Sequence, residues 1–207
     1  MLLSVTTHSG GMLPSRLVGL GLIGVFALTG CGGATAAAPA PTPSPSPTPT
    51  RDVQVSATFG TDDTTAITYD PALVPVGSRG AVSSASGDGG TTVMLAVRGL
   101  EPERGYGAHA HGEPCGATGD LAGPHFQNQV DPVQPSVDPA FANPRNEIWL
   151  DLTTDASGAG NATTTVPWGF ARDRRAQSVI IHAMPTATSS GEAGTAGARA
   201  ACITVEF

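Results

Sequence analysis

The sequence predicts an all-β domain, an antiparallel sandwich or Greek-key barrel with long loops, and two observations carry that prediction. Short runs rich in β-branched and aromatic residues recur from Arg51 onward, several alternating with period two, as in Val53, Val55, Ala57 and Phe59. Clusters of Gly, Pro, Asn, Asp and Ser punctuate those runs, and no long stretch keeps a 3.6-residue apolar period. Such a chain buries its core between sheets, not between helices.

The segment ahead of this pattern reads differently. Met1–Gly30 is expected to be a signal peptide: Arg16 is its only charge, and Leu17 to Leu28 is a twelve-residue apolar core relieved only by glycines. That core falls short of the ~20 residues a bilayer-spanning helix needs. Met12 is an alternative start, since the residues before it add no positive charge. Leu28-Thr29-Gly30-Cys31 resembles a bacterial lipoprotein cleavage box. Cys31 is then the lipidated first residue of an exported chain, anchored to the outer face of the cytoplasmic membrane. From Gly32 to Thr50 the composition collapses to Ala, Gly, Pro, Ser and Thr. Such a stretch cannot bury enough apolar surface to offset its ordering entropy, so it reads as an extended tether.

Arg51 to Phe207 is then one domain of 157 residues, large enough for a sizeable core. Expected strands run over Val53 to Phe59, Ala66 to Tyr69, Thr91 to Val97, Tyr106 to His111, Glu147 to Thr154, Ala162 to Val166, Val179 to Ala183 and Ala201 to Phe207. Leu73 to Gly90 is ambiguous, with ALVPV and RGAVSS supplying a further edge strand before a Gly-rich hairpin at Ser86 to Gly90. A long loop separates His125 from Glu147, marked by Asp131-Pro132, Asp138-Pro139 and Asn143-Pro144.

Charge excludes one class of partner. The domain holds nine arginines, no lysine and seventeen acidic residues, a balance of −8 that argues against nucleic-acid binding. An anionic substrate would be repelled at long range unless local positive charge draws it in.

Histidine placement points to metal. His109 and His111 in HAH leave one face of a strand, with Cα atoms about 6 to 7 Å apart. With His125 and His182 they account for every histidine after the leader. Imidazoles suit copper, which the Irving–Williams order favours over other divalent metals at nitrogen sites.

These residues carry a family resemblance. GYGAHAH resembles the strand of copper/zinc superoxide dismutases that bears two copper ligands, AGPHF their bridging-histidine motif, and VIIHA the strand with the fourth ligand. GTAGARAAC, Gly194 to Cys202, is similar to their C-terminal signature, in which an arginine guides the anion and a cysteine closes a disulfide. The resemblance spans Asp52 to Phe207 and implies eight strands. It implies copper held by His109, His111, His125 and His182, with superoxide as substrate and alternate reduction and reoxidation of the metal. It makes His125 the labile, proton-carrying ligand and Arg199 the residue that draws the anion. It also implies a Cys115–Cys202 disulfide, as an exported pair of cysteines would form.

Two departures from the family matter. Its zinc site uses two further histidines and an aspartate after the bridge, yet Phe126 to Ile181 contains no histidine and no cysteine. Zinc is therefore not expected, and Glu147 or Asp151 is expected to hold His125 from its second nitrogen instead. The segment between Ala183 and Ala198, where the family often carries steering charges, holds only Glu192. The alternative to a dismutase is an envelope protein that stores or delivers copper with little turnover. Oligomeric state is not legible in the sequence.

Overall fold

In the computed structural model, residues 51–62, 65–87 and 89–207 are described; the expected signal peptide, Cys31 and the linker to Thr50 lie outside them. Two four-stranded antiparallel sheets form a sandwich. The first has the order β1 (Arg51–Thr58), β3 (Arg79–Gly87), β4 (Gly90–Arg98), β8 (Gly160–Val166). The second has the order β2 (Ala66–Thr68), β10 (Arg199–Thr204), β9 (Ser178–His182), β6 (Ala108–His111). A short pair, β5 (Gly105–Tyr106) with β7 (Leu152–Thr153), stands beside them. The one regular helix among the described residues is a 3₁₀ turn at Gly119–Ala122.

Period-two alternation decides what lies inside. Val82, Val93, Leu95 and Val97 of the first sheet meet Ala108, Ala110, Val179, Ile181 and Ile203 of the second, with Phe59, Tyr106, Ile148, Leu150 and Phe207 closing the core. Each fully buried aliphatic or aromatic side chain contributes roughly 1.5–3 kcal/mol.

The same alternation sends His109, His111, Ile180, His182 and Cys202 to the outer face of the second sheet, between the core residues of β6, β9 and β10. Their burial is supplied by loops. Residues 112–123 cover Ile180 and Cys202 through Ala122 and Cys115, fastened by the Cys115–Cys202 disulfide. The loop that follows His182 reaches back over the histidines, with Thr186 against His109 and Gly197 against His182.

Two expectations change here. RGAVSS is not an edge strand: β3 lies between β1 and β4, with Val82 opposite Val55 and Leu95. Its inward positions include Gly80, where a Cβ would sit 2.5 Å from Ile203 Cδ1, so small residues fill a site a larger side chain could not. Glu147 to Thr154 is not one strand either. Only Leu152–Thr153 pairs regularly, while Glu147 and Trp149 make single bridges to Gln127 and His109.

Candidate metal centre

Four imidazoles converge on the outer face of the second sheet. One ligand atom from each of His109, His111, His125 and His182 lies within 4.8 Å of the others, and no other such group occurs among the described residues. β6 supplies two through its alternation, β9 supplies His182, and an isolated bridge between His111 and His125 brings in the fourth.

Each ring has one nitrogen committed to the protein. His111 Nδ1 donates to Gly123 O at 2.9 Å, and His182 Nδ1 to Gly197 O at 3.4 Å. His125 Nδ1 donates to Glu147 Oε2 at 2.8 Å. Carbonyls and carboxylates only accept, so these three rings carry hydrogen on Nδ1 and a lone pair on Nε2.

His109 is held the other way round. The Thr186 hydroxyl donates to Asp151 Oδ1 at 2.6 Å, so its oxygen is left to accept from His109 Nε2 at 2.7 Å. Asp151 Oδ2 also accepts from Thr186 N at 2.8 Å. The lone pair of His109 is therefore on Nδ1. Gly107 lets this loop approach, because a Cβ there would lie 2.9 Å from Thr186 Oγ1 and 2.7 Å from Ala196 Cβ.

The remaining nitrogens are the test of fit for a metal. His109 Nδ1, His111 Nε2 and His182 Nε2 are buried and have no hydrogen-bond partner. A buried polar atom without a partner costs on the order of 1–3 kcal/mol, and three together call for a partner that accepts lone pairs. A cation meets that description. Protonation does not: burial holds His109 and His111 well below the ordinary imidazole range and His182 down at about 3, with His125 the next contributor in each case. All three stay neutral and free to ligate.

Arg199 stands beside this group because it pairs with His182 across β9 and β10, next to a register shift in β10. Such bulges re-aim side chains at sheet rims. Its guanidinium donates to Gly119 O at 2.7 Å, and its burial lowers its pKa, offset by Asp120 and Tyr69. It lines a cavity of about 360 Å³ with His125, His182, Gln134, Ser136 and Thr195.

The two expected carboxylates go to different rings: Glu147 contacts His125, whereas Asp151 reaches His109 through Thr186. Sequence reasoning missed Thr186, Gln127 and Trp149. Gln127 Nε2 donates to Glu147 Oε1 at 2.7 Å, and Trp149 Nε1 to Glu147 Oε2 at 2.7 Å. Both lie two residues from an expected site residue, so strand alternation was the available signal for them. Nothing in the sequence pairs Thr186 with Asp151.

No protein-family model matches the chain, and no curated sequence does either. Among solved structures, the Cu/Zn superoxide dismutase from Brucella abortus superposes with a TM-score of 0.52 at 20% identity, over 76% of this chain and 100% of that one. A double mutant and a single mutant of a SOD-like protein from Bacillus subtilis give TM-scores of 0.48 and 0.47, both at 20% identity. These alignments cover 60% and 62% of this chain, and 87% and 90% of those. The fold is thus that of a Cu/Zn superoxide dismutase-like β-sandwich, with a four-histidine group on its outer face.

Proposed function

We propose that this protein is a copper superoxide dismutase of the cell envelope, converting superoxide to dioxygen and hydrogen peroxide. The observation that supports it is the set of three buried, partnerless imidazole nitrogens that face a fourth histidine beside Arg199. A four-imidazole set favours copper among the first-row divalent metals, and bound copper would supply one-electron redox chemistry. His109 would hold it through Nδ1, and His111, His125 and His182 through Nε2.

The other residues divide the remaining work. Arg199 is the positive charge in the cavity, so it would draw and orient a small anion against the domain's net negative field. His125 is the one ligand with partial exposure, 18%, and it has a carboxylate behind Nδ1. With Nδ1–H directed at Glu147, its Nε2 would be the atom that holds a proton and presents it to an anion in the cavity. Behind it stand Glu147, Gln127 and Trp149, which bring one anionic oxygen and no second imidazole or thiolate. That donor set supports a site for copper without zinc.

The test is turnover of superoxide by the copper-loaded protein, with metal content measured on the same sample. One copper per chain, no stoichiometric zinc and fast dismutation are expected. A full equivalent of tightly held zinc would sink the copper-only reading, and one copper with negligible turnover would point to storage or delivery.

The envelope location is a proposal from the LTGC motif at Cys31. The mature protein is expected in membrane and detergent fractions, and Cys31→Ser is expected to be released or left unprocessed. Wild-type chain that is wholly soluble, with Cys31 removed, would contradict it.

A further inference from the structure

Glu147 is 1% exposed and accepts three hydrogen bonds, from His125 and Trp149 on Oε2 and from Gln127 on Oε1. The terminal torsion of a glutamate is broad and two-fold, so contacts to one oxygen fix its position more than its plane. Gln127 pins the other oxygen. Its own amide is not free to flip: Oε1 accepts from Asp131 N at 2.9 Å, a donor, while Nε2 donates to a carboxylate, an acceptor.

The same amide reaches the cavity wall. Gln127 Nε2 also donates to Ser136 Oγ at 3.0 Å, and Ser136 donates to Asp131 Oδ2 at 2.7 Å, a ring closed by the Asp131 main-chain N–H on Gln127 Oε1. Ser136 and its neighbours Gln134, Pro135 and Val137 line the cavity in front of His125. The main chain under Gln127 is clamped as well. It bridges Glu147, and Arg174 donates to Gln127 O at 2.6 Å and Asn128 O at 2.7 Å, its guanidinium 4.7 Å from the Phe126 ring centre.

We propose that Gln127 is a positioning residue that holds Glu147 against His125 and ties both to the wall at 134–137, so that imidazole and wall move as one hydrogen-bonded unit. The proposal rests on reading the four imidazoles as a metal site, with His125 as one ligand. Without Gln127 the carboxylate keeps its contacts on Oε2 but loses the constraint on its plane. The wall loses Ser136 and Asp131 as attachments at the same time.

Gln127→Met keeps length and burial while removing every side-chain hydrogen bond, and Gln127→Leu removes the same bonds with a different apolar shape. In the metal-free wild type, NMR should show slowly exchanging protons at His125 Nδ1 and at the Asp131 amide. In Gln127→Met both should exchange at least about tenfold faster. Chelator competition should then show copper held about tenfold more weakly, at the low end for residues that act behind a metal ligand. The copper hyperfine pattern in EPR should shift in the same direction as that of Glu147→Gln, measured alongside. The double variant should be no worse than the worse single one, because both act through one contact. If Gln127→Met does not fold, Gln127→Leu carries the same readouts. A folded variant with unchanged His125 exchange and unchanged copper affinity overturns the proposal, as does additivity with Glu147→Gln. Should the wild type take up no copper, the metal reading fails by itself, and the exchange measurement still decides the role of Gln127.

Discussion

Replacing both Cys115 and Cys202 with serine is expected to destabilise the domain by about 4 to 5 kcal/mol, the chain-entropy value for a loop of nearly this length. The bridge joins residues 87 positions apart, so the unfolded chain without it gains a large set of conformations. Denaturant unfolding should show a lower midpoint and a steeper slope, since the freed chain exposes more surface. The effect should also reach the metal centre. The loop the bridge fastens supplies Gly123 O to His111 and Gly119 O to Arg199. Copper affinity should fall and the salt dependence of turnover should change. A loss below about 1 kcal/mol with unaltered copper affinity would show that packing of Ala122 and Ile180 alone holds this loop.

What was legible in the sequence follows from period-two geometry. His109 and His111, two apart, read directly as neighbours on one face, and the alternation of Val179 and Ile181 against Ile180 and His182 separates core from site. That alternation says nothing about which loop descends on the exposed face. Thr186 and Asp151 are 35 residues apart and meet only because Gly107 leaves room beneath the loop. Gln127 and Glu147 are 20 apart and meet through one bridge, not through a ladder with a readable pattern. β3 was blurred for another reason: its inward Gly80, Ser84 and Ser86 carry no apolar signal, because Phe59 and Ile203 already fill the core beside Gly80. In Glu147 to Thr154 the apolar alternation of Ile148, Leu150 and Leu152 is strand-like and all three are buried. Glu147 and Trp149 on the other face are spent on the site, and regular pairing is confined to the last two residues.

Replacing His182 with alanine should abolish the proposed dismutation and, in the metal-free protein, weaken the acid sensitivity of folding. The first outcome follows from removing one of four converging donors and the one paired with Arg199 across the sheet. The second follows from linkage. Burial holds His182 at about 3 in the folded chain, with His125 as the next cause, whereas an unfolded imidazole takes up its proton near 6.5. Below about pH 6.5 the unfolded state therefore binds more protons than the folded state, so stability is fully present above that pH and falls as pH drops toward 3. The slope from this one group is about 1.4 kcal/mol per pH unit through that window. The cavity left by alanine has a cost that does not depend on pH, so the gap in unfolding free energy between wild type and His182→Ala should narrow steadily from pH 6.5 downward. Bound copper would oppose the trend in the wild type by occupying the nitrogen, until protons displaced it. Denaturation of both metal-free proteins at several pH values reads the difference directly. Parallel curves would mean that His182 already binds a proton in the folded state, which is incompatible with an imidazole buried at 4% exposure and poised as a ligand.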